Sequence, residues 1–215
     1  MGFVFQRRTK NLSRLIADVL PDTGTVLDIG CGDGTIDQMI LNQKPGLTIT
    51  GIDIIKRKET KIPVTVFDGQ TIPYPDNSFD SVLFIDVFHH TEDPVVLLRE
   101  AVRVSKKHVV IKDHYAKNLL DRLILRCMDW VGNHPSGIPL TYNYWHPKKW
   151  HDVWDKMGLK VQNEITKLDL YPFLFTILFD RQQHFIVQLE KSPKKMRYGY
   201  NQIDFLGALL RGGVA

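Results

Sequence analysis

Val26-Leu-Asp-Ile-Gly-Cys-Gly-Asp-Gly34 is the stretch that decides the fold. A β-branched run from Thr25 to Ile29 ends in glycines at 30, 32 and 34, and Ile36, Met39 and Ile40 then recur at helical spacing. A buried strand that turns through glycines into a helix is how an open α/β sheet begins. Glycines in such a turn remove Cβ atoms and let the backbone approach a ligand closely. The dinucleotide fingerprint would put its third glycine at 35, where this chain has Thr35. That fingerprint also holds a pyrophosphate on the helix N-terminus. Asp28, at the strand tip, would repel a pyrophosphate and suits an ammonium or a sulfonium instead.

The same alternation runs outward in both directions. Arg7 to Leu20 is an amphipathic helix stopped by Pro21. Leu47 to Ile52 is a strand ending in Asp53, Val64 to Phe67 a short strand ending in Asp68, and Phe79 to Ile85 an apolar strand ending at Asp86. Pro94 opens a helix, and His108 to Ile111 is the next strand. Strands alternating with helices predict a parallel sheet covered on both faces. Beyond Tyr115 the pattern changes to a helix (118–130), an aromatic loop from His134 to His146, a helix from Pro147 to Met157 capped by Gly158, and late strands at 159–165 and 184–189. Residues 1–190 are expected to form one domain, with 115–150 and 168–180 as lid segments over an acceptor pocket. Residues 191–215 are expected to be a basic and apolar tail.

The 215 residues are 43% hydrophobic and 24% charged, with a net charge of +4 spread along the chain, which calls for no nucleic-acid partner. Two cysteines without ligand spacing argue against a disulfide framework and against a metal, and a reducing cytoplasm is the simplest setting. The segment MGFVFQRR lacks the apolar core of a signal peptide, and Gln6 stands where a myristoylation signal wants Ser or Thr. The apolar run from Leu170 to Phe179 is half the ~20 residues of a membrane span. A weak peripheral membrane contact through the tail is expected at most.

Three acids end successive strands. Besides Asp28, Asp53 can accept both hydroxyls of an unphosphorylated ribose, and Asp68 can accept an adenine amino group or simply form an Asp-Gly turn. The segment VLDIGCGDG, with Asp53 in GIDI, Asp68 in FDG and the run IPYPDNSFDSVLFIDVFHHTEDP, resembles the class I S-adenosylmethionine-dependent methyltransferases, in the style of the ubiquinone and menaquinone biosynthesis group. That resemblance implies a Rossmann-like, seven-stranded, mostly parallel sheet with an antiparallel C-terminal strand, helices on both faces and a helical, aromatic lid insertion. It implies S-adenosyl-L-methionine as cofactor, S-adenosyl-L-homocysteine as product, and methyl transfer; the aromatic loop, if it forms a lid with 170–179, makes the acceptor a small hydrophobic or aromatic molecule.

Carried over by position, Asp28, Gly30, Gly32 and the rest of the loop, Cys31 and Gly34, would surround the methionine part. Cys31 would serve only as a small packing residue. Asp53 would hold the ribose with Ile54 against the adenine, and Asp68 and Gly69 would meet the adenine edge. Asp86, Val87 and His89 would face the sulfonium and the acceptor. His89 and His114 are the candidate catalytic residues, since histidine takes a proton near neutral pH. His89 and His90 would equally serve to cap the Glu-Asp-Pro turn that follows. Two other readings share the pattern: a non-catalytic S-adenosylmethionine-binding regulatory module and an NAD(P)-dependent oxidoreductase. The fourth strand ends without an Asn-Pro-Pro-Tyr-type motif, which argues against methylation of nucleic-acid bases.

Overall fold

The computed structural model describes residues 2–55, 57–133, 140–172 and 182–192. Its strands are β1 (Thr23–Ile29), β2 (Gly46–Asp53), β3 (Val64–Val66), β4 (Phe79–Ile85), β5 (Ser105–His114), β6 (Leu159–Ile165) and β7 (His184–Lys191). They form one sheet in the order β3-β2-β1-β4-β5-β7-β6. β7 is antiparallel to β5 and β6, and the other pairings are parallel. The expected architecture is therefore the observed one. The chain reverses strand order at β1/β4, so the carboxyl ends of these two strands border a crevice where open sheets bind ligands.

The helices are α1 (Phe3–Val19), α2 (Thr35–Gln43), α3 (Pro94–Val104), α4 (Leu119–Asn133) and α5 (Pro147–Lys156). Alternate strand residues feed two cores, as the two-residue period requires. Val26, Leu83, Val110 and Ile186 pack with Leu12, Ile16 and Ile40 of α1 and α2. Leu27, Phe84, Ile111 and Val187 pack with Leu98 of α3 and Trp150 and Trp154 of α5 on the other face. α3 starts on Asp93, whose Oδ1 accepts from the backbone N–H of Val95 at 2.9 Å and of Val96 at 3.3 Å, with Pro94 next. Asp93 thus makes the cap that His89 and His90 were candidates for.

Several boundaries differ from expectation. β5 runs on through Lys112, Asp113 and His114, because β7 pairs with it along that whole length. α1 begins at Phe3, which places Arg7 and Arg8 on its surface. Lys191 ends β7 instead of beginning a tail, and its ammonium donates to Ser105 O at 2.6 Å. Trp145 of the aromatic loop lies in the α5 core, 4.8 Å from the Trp150 ring. It fills the seam between helix and sheet. The rest of the tail (193–215), much of the second lid segment (173–181) and the loop residues 134–139 lie outside the described residues. No helix among the described residues is long and apolar enough to cross a membrane.

Candidate functional site

The loop between β1 and α2 is pinned to β2. Gly30 N–H donates to Ile52 O at 2.7 Å, and Gly32 N–H donates to Asp53 Oδ2 at 2.8 Å. The other Asp53 oxygen accepts from Ile55 N–H at 2.9 Å. Each carboxylate oxygen keeps a further lone pair for a ligand. Gly30 has φ +75°, and a Cβ there would stand 2.6 Å from Val87 Cγ2, so only glycine lets β1 and β4 close at this point. Gly32 has φ +61° and nothing within 4 Å of where its Cβ would be: it opens onto a cleft.

That cleft is lined by Asp28, Gly30, Cys31 and Gly32 from the loop side, by Asp37 of α2, and by Phe5 and Arg8 of α1. Asp28 and Asp37 are each 1% exposed, and Asp28 Oδ1 and both Asp37 oxygens have no hydrogen-bond partner. Burial, followed by the charges of Asp28, Asp37 and Asp53, pushes the Cys31 thiol well up, which leaves it a packing residue. Beyond β2, Ile54 is half-exposed and its Cγ2 lies 3.1 Å from where a Gly69 Cβ would be, so the two form one edge beside Asp53. Asp68 is exposed and its Oδ1 accepts from Gln70 N–H at 2.8 Å and Thr71 N–H at 2.7 Å. It builds the Asp-Gly turn, the plainer of its two expected roles.

A second cluster lies where β4 and β5 end. Asp86 leaves β4 at φ +59°, a left-handed turn that aspartate tolerates. Its two oxygens receive the Lys112 ammonium and the Arg8 guanidinium. Burial opposes the charge on Asp86, yet these two cations hold its carboxyl well below the usual range. Asp86 is therefore an ion-paired strand end. Asp113, also buried, accepts from Phe88 N–H at 2.9 Å and His114 N–H at 2.8 Å, and its Oδ1 lies 2.8 Å from His89 Nδ1. His114 Nδ1 is 3.3 Å from His89 Nδ1. Thr141 Oγ1 and Asn143 N–H bind His89 O from the aromatic loop, and the Tyr144 ring stacks on His89 at 5.7 Å while its hydroxyl bonds Asp129. The two candidate catalytic histidines are thus neighbours under an aromatic cover.

Comparison with known proteins agrees with this geometry. The family described as "Methyltransferase domain" matches residues 27–111. Over that stretch the chain is similar to the methyltransferase-domain family. It is 32% identical over 138 residues to the 2-methyl-6-phytyl-1,4-hydroquinone methyltransferase of Synechocystis, covering 60% of this chain and 38% of that protein. It is 25% identical over 154 residues to the demethylmenaquinone methyltransferase of Renibacterium salmoninarum, covering 64% of each. The chain thus spans less than two fifths of the first relative. Among solved structures, an S-adenosylmethionine-dependent methyltransferase from Mesorhizobium loti superposes with a TM-score of 0.61 at 16% identity, over 82% of this chain and 96% of that one.

S-adenosylmethionine is the methyl donor of this family, and the residues of the methyltransferase domain fit it. Unpartnered buried carboxylate oxygens suit its cationic amino-acid end and oppose a pyrophosphate. The open face of Gly32 leaves room for it beside Asp53. Among the described residues, Asp86–His89–His114 and His89–His90–Asp129 also bring metal-ligand atoms within 4.8 Å of one another. In the first group Lys112 and Arg8 already supply two cations to Asp86. Sequence reasoning passed over Arg8, Asp37, Lys112, Asp129 and His184. The available signal was ionisable residues in runs otherwise read as buried strand, above all Lys112 after Val-Val-Ile111.

Proposed function

We propose that the chain transfers a methyl group from S-adenosyl-L-methionine to a small hydrophobic or aromatic acceptor and releases S-adenosyl-L-homocysteine. The observation that carries this is the cleft at the β1 tip, where an open glycine meets buried carboxylates that have no partner. Asp28, Gly30 and Gly32 hold the amino-acid end. Asp53 accepts the ribose hydroxyls, and Ile54 and Gly69 flank the adenine, with Asp68 shaping the turn behind it. The bound sulfonium supplies an electrophilic methyl carbon. The residues of the chain then align the acceptor, exclude water and take up its proton, and such positioning supplies ~7–11 kcal/mol.

The proton goes to His114. Burial, then the Lys112 ammonium, lowers its pKa below the ordinary 6.5, so its imidazole is neutral at neutral pH. His89 is held by Asp113 beside it and fixes that arrangement. The aromatic cover of Tyr144 and Tyr142 favours a flat, apolar acceptor, in keeping with the hydroquinone and menaquinone names of the two relatives. Both cysteines are free thiols, which suits the cytoplasmic setting expected for the reaction.

Thermal shift separates the rival ligands. S-adenosylhomocysteine at 100 times its Kd is expected to stabilise the protein by about 2.7 kcal/mol, roughly 5–11 °C in melting temperature. NADH is expected to give no shift. Incubation with methyl-labelled donor and a prenylated hydroquinone is then expected to label the quinol. A shift with NADH alone would return the chain to the oxidoreductases, and binding without labelling of any aromatic acceptor would make it a regulatory module. Asp53→Ala removes the ribose acceptor and the brace on Gly32 together. It is expected to weaken S-adenosylhomocysteine binding by about 1–3 kcal/mol in calorimetry. Unchanged affinity would refute the ribose role.

A further inference from the structure

The glycine motif accounts for Asp28 but not for the second acid in the cleft. Asp37 sits in the first turn of α2, buried, with both side-chain oxygens unpartnered, and Asp28 Oδ1 is in the same state. The two carboxyls face one another, each acting on the other's proton. Around them stand Cys31 and Asp33 in the loop, Asp53 on β2, and Arg8 on α1, whose guanidinium is committed to Asp86. Among these groups no cation is left to neutralise the pair. Two carboxylates in one dry site cannot both ionise cheaply; they keep a proton between them or meet a cation.

Resting on the cofactor assignment above, we propose that Asp28 and Asp37 share one proton in the free protein and give it up to solvent when the ligand's α-ammonium enters, which makes Asp37 a second positioning carboxylate for the amino-acid end. The step forms ammonium–carboxylate hydrogen bonds, breaks the carboxyl–carboxylate one and transfers one proton to buffer. The titration behaviour agrees. Burial, then Asp37, holds the Asp28 carboxyl well above the usual range, and burial raises Asp37 to about 6. The sign follows from competition between proton and ligand: affinity rises with pH, by up to about tenfold per unit where a whole proton is released.

Calorimetry on the full chain tests this. S-adenosylhomocysteine is titrated at pH 6.0 to 8.0 in phosphate and in Tris, whose ionisation heats differ. The expected result is proton release on binding and weaker affinity at the acid end. 5′-Methylthioadenosine, which lacks the amino-acid end, is expected to bind without either effect. D37N is expected to abolish the release and weaken S-adenosylhomocysteine by about 10–100-fold. It is also expected to raise the melting temperature of the free protein at pH 8, because a buried charge without a counter-charge is gone. Opposite signs in affinity and stability are what a merely structural Asp37 would not give. Equal heats in both buffers for wild type, or unchanged proton release in D37N, overturns the proposal while leaving the cofactor assignment standing. If neither adenosyl compound binds wild type at any pH, both fall.

Discussion

Lys112→Ala is expected to lower the melting temperature by about 6–12 °C, the largest stability loss of any single polar substitution in this sheet. Lys112 is fully buried near the carboxyl end of β5, paired across to Ile186 of β7, and its ammonium reaches the Asp86 carboxylate. Breaking a buried pair by removing one partner costs about 3–5 kcal/mol, because a charge is left without compensation. Arg8 stays on the second Asp86 oxygen, so the loss belongs near the lower end, and about 3 kcal/mol corresponds to that shift in a chain of this size. A Lys112→Met, Asp86→Asn double variant is expected to recover part of it, since both desolvated charges leave together.

The dependence on pH has a definite sign. The folded Asp86 pKa is depressed, so its contribution is fully present above the unfolded carboxylate pKa and is lost as pH falls toward the depressed value. Wild type is therefore expected to lose stability more steeply than Lys112→Ala on acidification below about pH 4. Calorimetric melts of the three proteins at pH 7 and at about pH 3 check this. An unchanged melting temperature in Lys112→Ala would mean that the ion pair is not the anchor described.

The elements whose reasons are local were legible in the chain. β4 and β6 begin and end where turn residues and apolar alternation put them, and α2 starts at the glycine loop because that loop needs positive φ. β5 was read too short because Lys112-Asp113-His114 looks like the start of a polar loop. Its partners make it strand: Asp86 for Lys112, His89 for Asp113, and the antiparallel β7 for the backbone of all three. A one-dimensional pattern prices a buried charge as exposed, since the compensating charge is elsewhere in the chain. Arg8 and Asp86 are 78 positions apart, and Lys112 and Asp86 are 26 apart.

The candidate site divides the same way. The residues proposed for the cofactor, Gly30, Gly32 and Asp53, lie in contiguous motifs, and the structure adds that Asp53 braces Gly32. Asp37 and Asp129 take their places by tertiary contact. Asp37 read as an ordinary acid in a first helical turn, where the macrodipole favours one, and only its burial beside Asp28 sets it apart. Asp129 sat in a helix with no visible reason to face inward until Tyr144 and His89 were placed against it.

His114→Asn is expected to lower turnover by about 10²–10⁴-fold while leaving S-adenosylhomocysteine affinity within about twofold, the range over which positioned acid–base groups act. Two buried imidazoles stand with nitrogens 3.3 Å apart and are pushed in opposite directions. Burial disfavours the charge on His89, but Asp113, Asp129 and Asp86 together outweigh it and raise its pKa. For His114, burial and the Lys112 ammonium prevail over its hydrogen bond to Asp113 and lower the pKa. Environments that split a pair in this way assign the roles: the group whose neutral form is favoured takes the proton, and its neighbour holds the geometry. The sign sets the pH profile. A base with a lowered pKa stays competent below 6.5, so turnover should decline only on the acid side of that value; were His89 the base, the decline would begin above it. Asp113→Asn removes support for both imidazolium forms and is expected to move that acid limb to lower pH. A His114→Asn variant that loses cofactor affinity as fast as turnover would place His114 at the cofactor and leave the acceptor's proton to solvent.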